Sequence, residues 1–418
     1  GLFTFRFEFA CGNNPKGSGD SAGPTLPVFD TLNKQVREKI NFAILNGDWL
    51  YETRRDYPPQ EWLHQVGLSK ADTPRIVRQA PTIVGVWQNY KDLHHRGRNL
   101  AEWHRHVPTY FTADDHELIN DIYGAGETGY VNRRAVFRDI ATQAWFDYLG
   151  WANPTEHDTP AWFGAAKLSK GSDLLEDKQA DFTNLDLDQM ANLHVHWGTA
   201  TAGVPDSTLD AQPGDPNSAV YEIEKVLGPH RLKINPEAKA DGQSAYSIGR
   251  RCYGKFTVSN CDFFLLDTRS HRSLHNVDKP DNPNATMIGK QQLNWLKEGI
   301  RNSKSDFIFV VSSVNFMVPH VGSGGGDDKQ AAIKKDDAWT VFLKEREELI
   351  EFWDGLDKAV FVLTGDLHNS FAIKITDNVY EFASGPHNSI NHAPMKDEGG
   401  RPSNGKFTCV PSPSPAGS

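Results

Sequence analysis

Residues 3–10, FTFRFEFA, alternate apolar and polar side chains and predict a strand that ends at Cys11-Gly12-Asn13. A Gly/Pro/Ser-rich loop follows, and helical spacing then runs through roughly 28–40. The apolar stretch Ile40–Leu45 reads as a strand that meets Asn46-Gly47-Asp48. Residues 51–107 are polar, helical in character and rich in Trp, His and Arg. Pro108–Thr112 reads as a short strand ending at Ala113-Asp114-Asp115-His116-Glu117. A helix over about 133–149 carries Ala135, Phe137, Ile140, Ala141, Ala144 and Trp145. Between 150 and 245 proline, glycine and acidic residues rise and the apolar pattern weakens. This predicts an irregular insertion or lid with one strand near Leu193–Trp197. Strands resume at Phe263–Leu266, Phe307–Val311, Val360–Leu363 and Val379–Phe382, with helices near 289–301 and 337–353. The expected organisation is one catalytic domain over 1–405 and a Pro/Ser-rich tail over 406–418.

Strands alternating with helical segments indicate layered α/β structure. Several of these strands end abruptly in Asp, His, Cys or Tyr, and in open α/β sheets ligands sit beyond the carboxyl ends of strands. Gly47-Asp48-Trp49-Leu50-Tyr51 places a carboxylate that can bridge two cations, with a phenol three residues on. Asp114-Asp115-His116-Glu117 offers a metal-binding carboxylate and a histidine for the substrate or leaving group. It also reads as a helix N-terminus with Glu117 in a capping-box position. In Gly365-Asp366-Leu367-His368, the aspartate and histidine are two apart and share a face of an extended segment. Cys11 offers a thiolate, a good ligand for a transition metal and a poor one for Mg²⁺ or Ca²⁺. Each motif alone also reads as ordinary structure, a turn aspartate or a buried cysteine; what distinguishes them is four such motifs at strand ends in one chain.

Composition narrows the classes. In 418 residues, 38% hydrophobic and 23% charged side chains suit a globular protein with a sizeable core. A net charge of −10 argues against a nucleic-acid-binding surface, and it means that binding a phosphate ester needs locally concentrated positive charge, such as metal ions. No apolar run approaches the ~18 residues that cross a bilayer. Four cysteines do not make a disulfide scaffold, although one bridge between Cys252 and Cys261 is compatible with a strand–turn–strand. The first strand begins almost at Gly1, which suggests a processed or trimmed N-terminus.

FACG, GDWLYE, TADDHE, FFLLDTRSHR, GKQQLNWLKEGI, and LTGDLH followed by YEFASGP resemble the ordered motif series of the PhoD-like alkaline phosphatase/phosphodiesterase family from about residue 3 to 390, except for 150–245. The resemblance implies a calcineurin-like four-layer α/β metallophosphoesterase sandwich, without the family's N-terminal β-sandwich. It implies a ferric ion with calcium alongside, in a dinuclear or larger centre, with Zn²⁺ or Mg²⁺ as alternatives. The iron ligands it suggests are Cys11, Asp48, Tyr51 and Asp366; calcium would share Asp48, with Asp115 and His368 nearby. Thiolate and phenolate favour a transition metal and the remaining oxygens a hard cation, so the donor types agree. The implied chemistry is hydrolysis of a small phosphate mono- or diester by metal-activated water or hydroxide, with His116 assisting protonation or binding the ester oxygen.

Arg54 is a candidate phosphate contact, and Asn120 with Asp121 a candidate support for the site. Arg269 and Arg272 read as loop anchors, and His194 and His196 as a packed or hydrogen-bonded pair. The glycines at 322–326 read as a loop without a following helix signal. Two other readings stand beside the leading one: a phospholipase D-like diesterase whose 150–245 region tolerates lipid, and a catalytically silent metal-binding surface protein. The expected protein is a monomer, secreted, periplasmic or on the cell surface.

Overall fold

The protein is seen in a computed structural model that describes residues 1–14, 26–52, 56–118, 120, 122, 124, 126–131, 135–154, 159–196, 215–320, 336–389 and 405–408. Arg54, Asp121, Trp197, the 322–326 glycine run and the tail from Cys409 lie outside these residues.

Two sheets carry the fold. The first is all parallel, in the order β16-β1-β2-β3, where β1 is Phe7–Asn13, β2 Phe42–Asn46, β3 Thr109–Thr112 and β16 Pro386–Asn388. The second runs β10-β11-β12-β13-β15-β14, with β10 Gly254–Val258, β11 Cys261–Leu265, β12 Phe307–Val311, β13 Ala359–Thr364, β14 Phe371–Lys374 and β15 Val379–Ala383. Its inner strands β11, β12, β13 and β15 are parallel, and β10 and β14 are antiparallel edges.

The alternation of side chains along the strands explains the packing. Phe42 and Ile44 of β2 join Phe263 and Leu265 of β11, Val311 of β12 and Leu363 of β13 in one core between the sheets. Aromatic rings dominate it: Phe7 stacks on Phe42 at 5.2 Å and Phe263 on Phe309 at 4.5 Å. The intervening residues face outward. Ala43 and Leu45 pack with the helices Pro27–Gln35, Ile83–Arg96, Arg98–His106 and Ala135–Tyr148. Ile308, Val310, Val360 and Val362 pack with the helices Gly289–Arg301 and Leu343–Asp354.

Three expectations change. The described residues of this region are not irregular: β4 (Trp162–Leu168), β5 (Leu174–Glu176), β6 (Met190–His196), β7 (Ala219–Gly228), β8 (Arg231–Asn235) and β9 (Gly242–Arg250) close into an antiparallel barrel in the order β4-β5-β8-β7-β6-β9. In β4 the run Gly164-Ala165-Ala166 blurs the apolar alternation: a side chain at Gly164 would fall 2.5 Å from the Tyr246 hydroxyl. Cys252 and Cys261 are both free, because Cys261 pairs with Val258 beside the hairpin turn while Cys252 lies beyond the far end of β10. Packed chain also continues past residue 405, since Phe407 donates its N–H to Glu347 and Lys406 pairs with Glu351.

The barrel is tied to the sheets by polar bonds. Asp139 accepts from Ser247 of β9 at 2.5 Å and bonds His194 of β6 at 2.6 Å, and its neighbour Arg138 donates to the Ser270 carbonyl at 3.0 Å. His194 and His196 are both buried, and His194 is hydrogen-bonded as its spacing suggested. The segment after the TADDHE motif is held by the same body: Gly129 and Val220 of β7 pair through their backbones, and Gly126 donates to the Arg272 carbonyl.

Glu345, in the first turn of the helix Leu343–Asp354, accepts from the Met287 N–H and from the Thr286 hydroxyl at 2.7 Å. Burial pushes its carboxyl up from 4.5 to about 7. A carboxyl raised in the folded state stabilises the fold below its unfolded value and loses that contribution as pH climbs through the folded one. Relative to Glu345→Gln, the native protein should therefore lose on the order of 3 kcal/mol of stability between the two values, read from denaturant melts at several pH values. Parallel curves for the two proteins would remove Glu345 as the cause.

Candidate metal centre

The parallel strands bring their carboxyl ends to one edge. Beyond β2 the chain turns through Gly47 and Asp48, both left-handed at φ 77° and 56°, and beyond β13 Asp366 and His368 are left-handed at 66° and 55°. Non-glycine residues held this way cost on the order of 1–3 kcal/mol each, and such strain gathers at functional sites. Here it turns side chains at the strand ends into one cleft. Gly365 permits the close approach of the two sheets: a Cβ there would lie 2.7 Å from Cys11 Cβ and 3.0 Å from the Asn46 carbonyl oxygen. Asn46 joins the sheets directly, donating its amide to the Ser312 carbonyl at 2.9 Å.

Asp48, Asp114, Asp115 and Asp366, all buried, each present an oxygen within 4.8 Å of the others. Two further groups overlap this set, Asp48–Asp115–His116 and His320–Asp337–Asp366. Tyr51 extends the cluster on one side. Its hydroxyl lies 3.4 Å from Asp48 Oδ2, 3.3 Å from His368 Nε2 and 3.4 Å from Ser389 Oγ, and His368 Nε2 is 3.5 Å from Asp48 Oδ2. His116 lies over the Tyr51 ring with centroids 4.1 Å apart and bonds Glu52 through Nδ1 at 2.8 Å.

The electrostatics of this cluster call for more positive charge. Burial, then the neighbouring carboxylates, push Asp48 and Asp114 well above the ordinary range, against the pull of His116 on the first and Arg269 on the second. Burial opposes charge on Asp366 as well, but His320, 2.7 Å away, holds it below that range. Burial and Asp48 push both the Tyr51 phenol and the Cys11 thiol up, so neither ionises without a strong Lewis acid beside it. Asp48 Oδ1 and Asp114 Oδ2 are buried oxygens with no hydrogen-bond partner. Burial with unspent lone pairs, a thiol, a phenol and several carboxylates fits a bound cation better than it fits a plain hydrogen-bonded core.

The structure gathers most of the residues singled out in the sequence. Asp48, Tyr51, Asp115, His116, Asp366 and His368 form one cluster, and buried Cys11 lies against Gly365. Cys11 and His368 are outside the three tightest donor groups. Asn120 is exposed, and its main-chain N–H donates to Glu52 at 2.5 Å. Glu117 does fill its capping-box place, accepting the Asp114 N–H at 2.7 Å. Arg269 and Arg272 are anchors, as their position after β11 suggested: Arg269 joins Asp114 at 2.7 Å to Asp337 at 2.8 Å, and Arg272 also pairs with Asp337. Those two arginines, against burial, hold the Asp337 carboxyl well below its ordinary range.

His320, Asp337 and Glu52 belong to the cluster and were not singled out from the sequence. His320 and Asp337 flank a long polar stretch without regular spacing. Glu52 closes the GDWLYE motif and could have been found there, as an acid one residue beyond the tyrosine.

Gly365→Ala should distort this edge. The added methyl must displace Cys11 or the Asn46 carbonyl, an overpacking that costs roughly 1–3 kcal/mol. The expected result is a lower melting temperature together with weaker binding of divalent cations, measured by thermal denaturation and calorimetric titration. Native values for both would show that the two sheets have slack at this point.

The profile of the PhoD-like phosphatase family matches residues 7–169 and 235–407. Alkaline phosphatase D of Bacillus subtilis is 31% identical over 130 residues, which are 29% of this chain and 21% of that protein, so the match spans about a fifth of the relative. A solved structure of PhoD aligns over 92% of this chain and 56% of its own, at 20% identity and a TM-score of 0.49. A dimetal phosphatase from Danio rerio aligns over 94% and 90%, at 10% identity and a TM-score of 0.39. With the family profile covering both sheets and every motif of the metal-binding edge, the chain belongs to the PhoD-like phosphatase family.

Proposed function

We propose that this chain hydrolyses small phosphate mono- or diesters with the help of bound metal ions. The observation that carries this reading is the set of four buried carboxylates, Asp48, Asp114, Asp115 and Asp366, with donor atoms within 4.8 Å of one another. Such a set suits two adjacent cations, which supply Lewis acidity at the phosphoryl group and activate water. Cys11, Asp48, Tyr51 and Asp366 are the ligands proposed for a ferric ion. Asp48 would be shared with calcium, which draws also on Asp115 and His368, and Asp114 Oδ2 is a further oxygen on that side. The facing cores of the two sheets and the helices on their outer surfaces support the calcineurin-like four-layer sandwich that this reading assumes.

The protein's own groups have separate tasks. Asp48 and Asp366 would hold the cations, and their left-handed backbone turns both carboxylates into the acidic cluster. Arg269 and Asp337 fix Asp114 in place. His116, held by Glu52 and by the face of Tyr51, is placed to hydrogen-bond the ester or leaving-group oxygen. Arg54 is proposed to contact the phosphate and Asn120 to support Glu52 at the rim.

A lipid-directed diesterase would need apolar surface on the barrel. Among the described barrel residues Leu227 is the one large apolar side chain left exposed, which favours a soluble ester. Among the described residues no helix is long and apolar enough to cross a membrane. A monomer acting outside the cell, where calcium is abundant, completes the proposal.

Bis-p-nitrophenyl phosphate or p-nitrophenyl phosphate should be hydrolysed, and a chelator should abolish turnover. The purified protein should contain iron and absorb visible light through Tyr51 or Cys11. A colourless, fully active zinc protein would overturn the ferric assignment while leaving metal dependence intact. Asp48→Asn and Asp366→Asn should each lose metal and activity together. His116→Ala should lower kcat by roughly 10²–10⁴-fold with metal content kept; loss of the metals instead would make His116 a ligand.

A further inference from the structure

Glu117 is fully buried, and its four hydrogen bonds all come from main-chain N–H groups. One oxygen accepts from Asp48 at 3.1 Å and from Asp114 at 2.7 Å; the other accepts from Trp49 and, at 3.0 Å, from Leu50. A capping-box glutamate needs only the Asp114 bond. The other three donors lie on a loop 67–69 positions earlier, consecutive along the turn that sets both Asp48 and Tyr51. Successive amides converging on one point form a concavity that binds anions, commonly a phosphate. Here the concavity is already filled by a carboxylate of the chain itself.

We propose that Glu117 is a positioning residue, the resident acceptor of a main-chain nest, which holds Asp48 in its left-handed conformation and so presents Asp48 and Tyr51 to the metals. The assignment deepens the proposed metal-dependent function and rests on Asp48 and Tyr51 being ligands. The Asp48–Leu50 amides are spent on Glu117, so they are not available to an incoming phosphate.

Glu117→Gln keeps the shape but turns an NH₂ group toward two of the four donors, which no longer find an acceptor. Glu117→Ala empties the nest. Hydrogen exchange on the full-length protein reads the nest without reference to activity: in Glu117→Gln the peptide covering residues 46–52 should exchange at least ~10-fold faster while barrel peptides stay as in the native chain. Calcium and zinc affinity, titrated after chelation and measured calorimetrically, should fall roughly 10–100-fold, as when a residue that orients a metal ligand is lost. Formate, which can re-enter the emptied nest, should restore metal affinity to Glu117→Ala, and formamide should not. Native exchange and native metal affinity in Glu117→Gln would overturn the proposal, as would a folded Glu117→Ala that formate leaves unchanged. If Glu117→Ala does not fold, Glu117→Gln alone decides. Should the native chain hydrolyse no phosphate ester, the exchange and metal arms still decide the role of Glu117, so the two failures are told apart.

Discussion

Mutual repulsion among carboxylates packed into a space of a few ångströms, out of water, is the constraint around which this protein is arranged. Asp48, Asp114, Asp115 and Asp366 would push one another apart or take up protons if nothing restrained them. Restraint comes from several directions. Arg269 grips Asp114 and is itself held by Asp337, which Arg272 holds in turn. His320 bonds Asp366 at 2.7 Å and holds its carboxyl down. Main-chain amides close on Glu117. The parallel strands supply the rigid base, because their ladders cannot slip without turning the aromatic core between the sheets to the wrong face.

Left-handed backbone at Asp48, Asp366 and His368 shows how the strands and the cleft are reconciled. A strand that simply continued would carry these side chains past one another along the sheets. The sharp turn redirects them across the gap between sheets, at an energetic cost that the buried bonds around them offset. Asn46 and Gly365 set the width of that gap, one by a side-chain bond to the opposite sheet and the other by having no side chain at all.

Much of this was legible from residue order. Apolar runs ending in Asp48, Asp115 and Asp366 located both sheets and the metal-binding edge, because a buried strand followed at once by an acid is a local pattern. Tyr51 and His368 came with them, being within three residues. What could not be read locally was partnership across the chain. Glu117 was recognised only as a cap, since nothing near it in sequence announces the Asp48–Leu50 amides. His320 and Asp337 carry no strand signal, and their roles depend on Asp366, Arg269 and Arg272 arriving from elsewhere. The barrel escaped for a different reason: Gly164, Ala165 and Ala166 leave β4 with little apolar contrast between its two faces, although the strand lies against a core of large side chains.

That barrel has a meaning for how such a chain can diverge. The family profile passes over residues 170–234, which hold β5, β6 and β7 and nearly all of β8. A closed ring of strands has no free edge to recruit a neighbour, and it carries its own hydrophobic interior. Hairpins there can lengthen, shorten or change sequence without exposing unpaired backbone, provided that His194 and Ser247 keep their bonds to Asp139 of the helix Ala135–Tyr148 and Val220 its pairing with Gly129 and Tyr130. The barrel is thus the compartment in which evolutionary novelty can accumulate, and the natural place to graft new loops onto this scaffold without disturbing its chemistry.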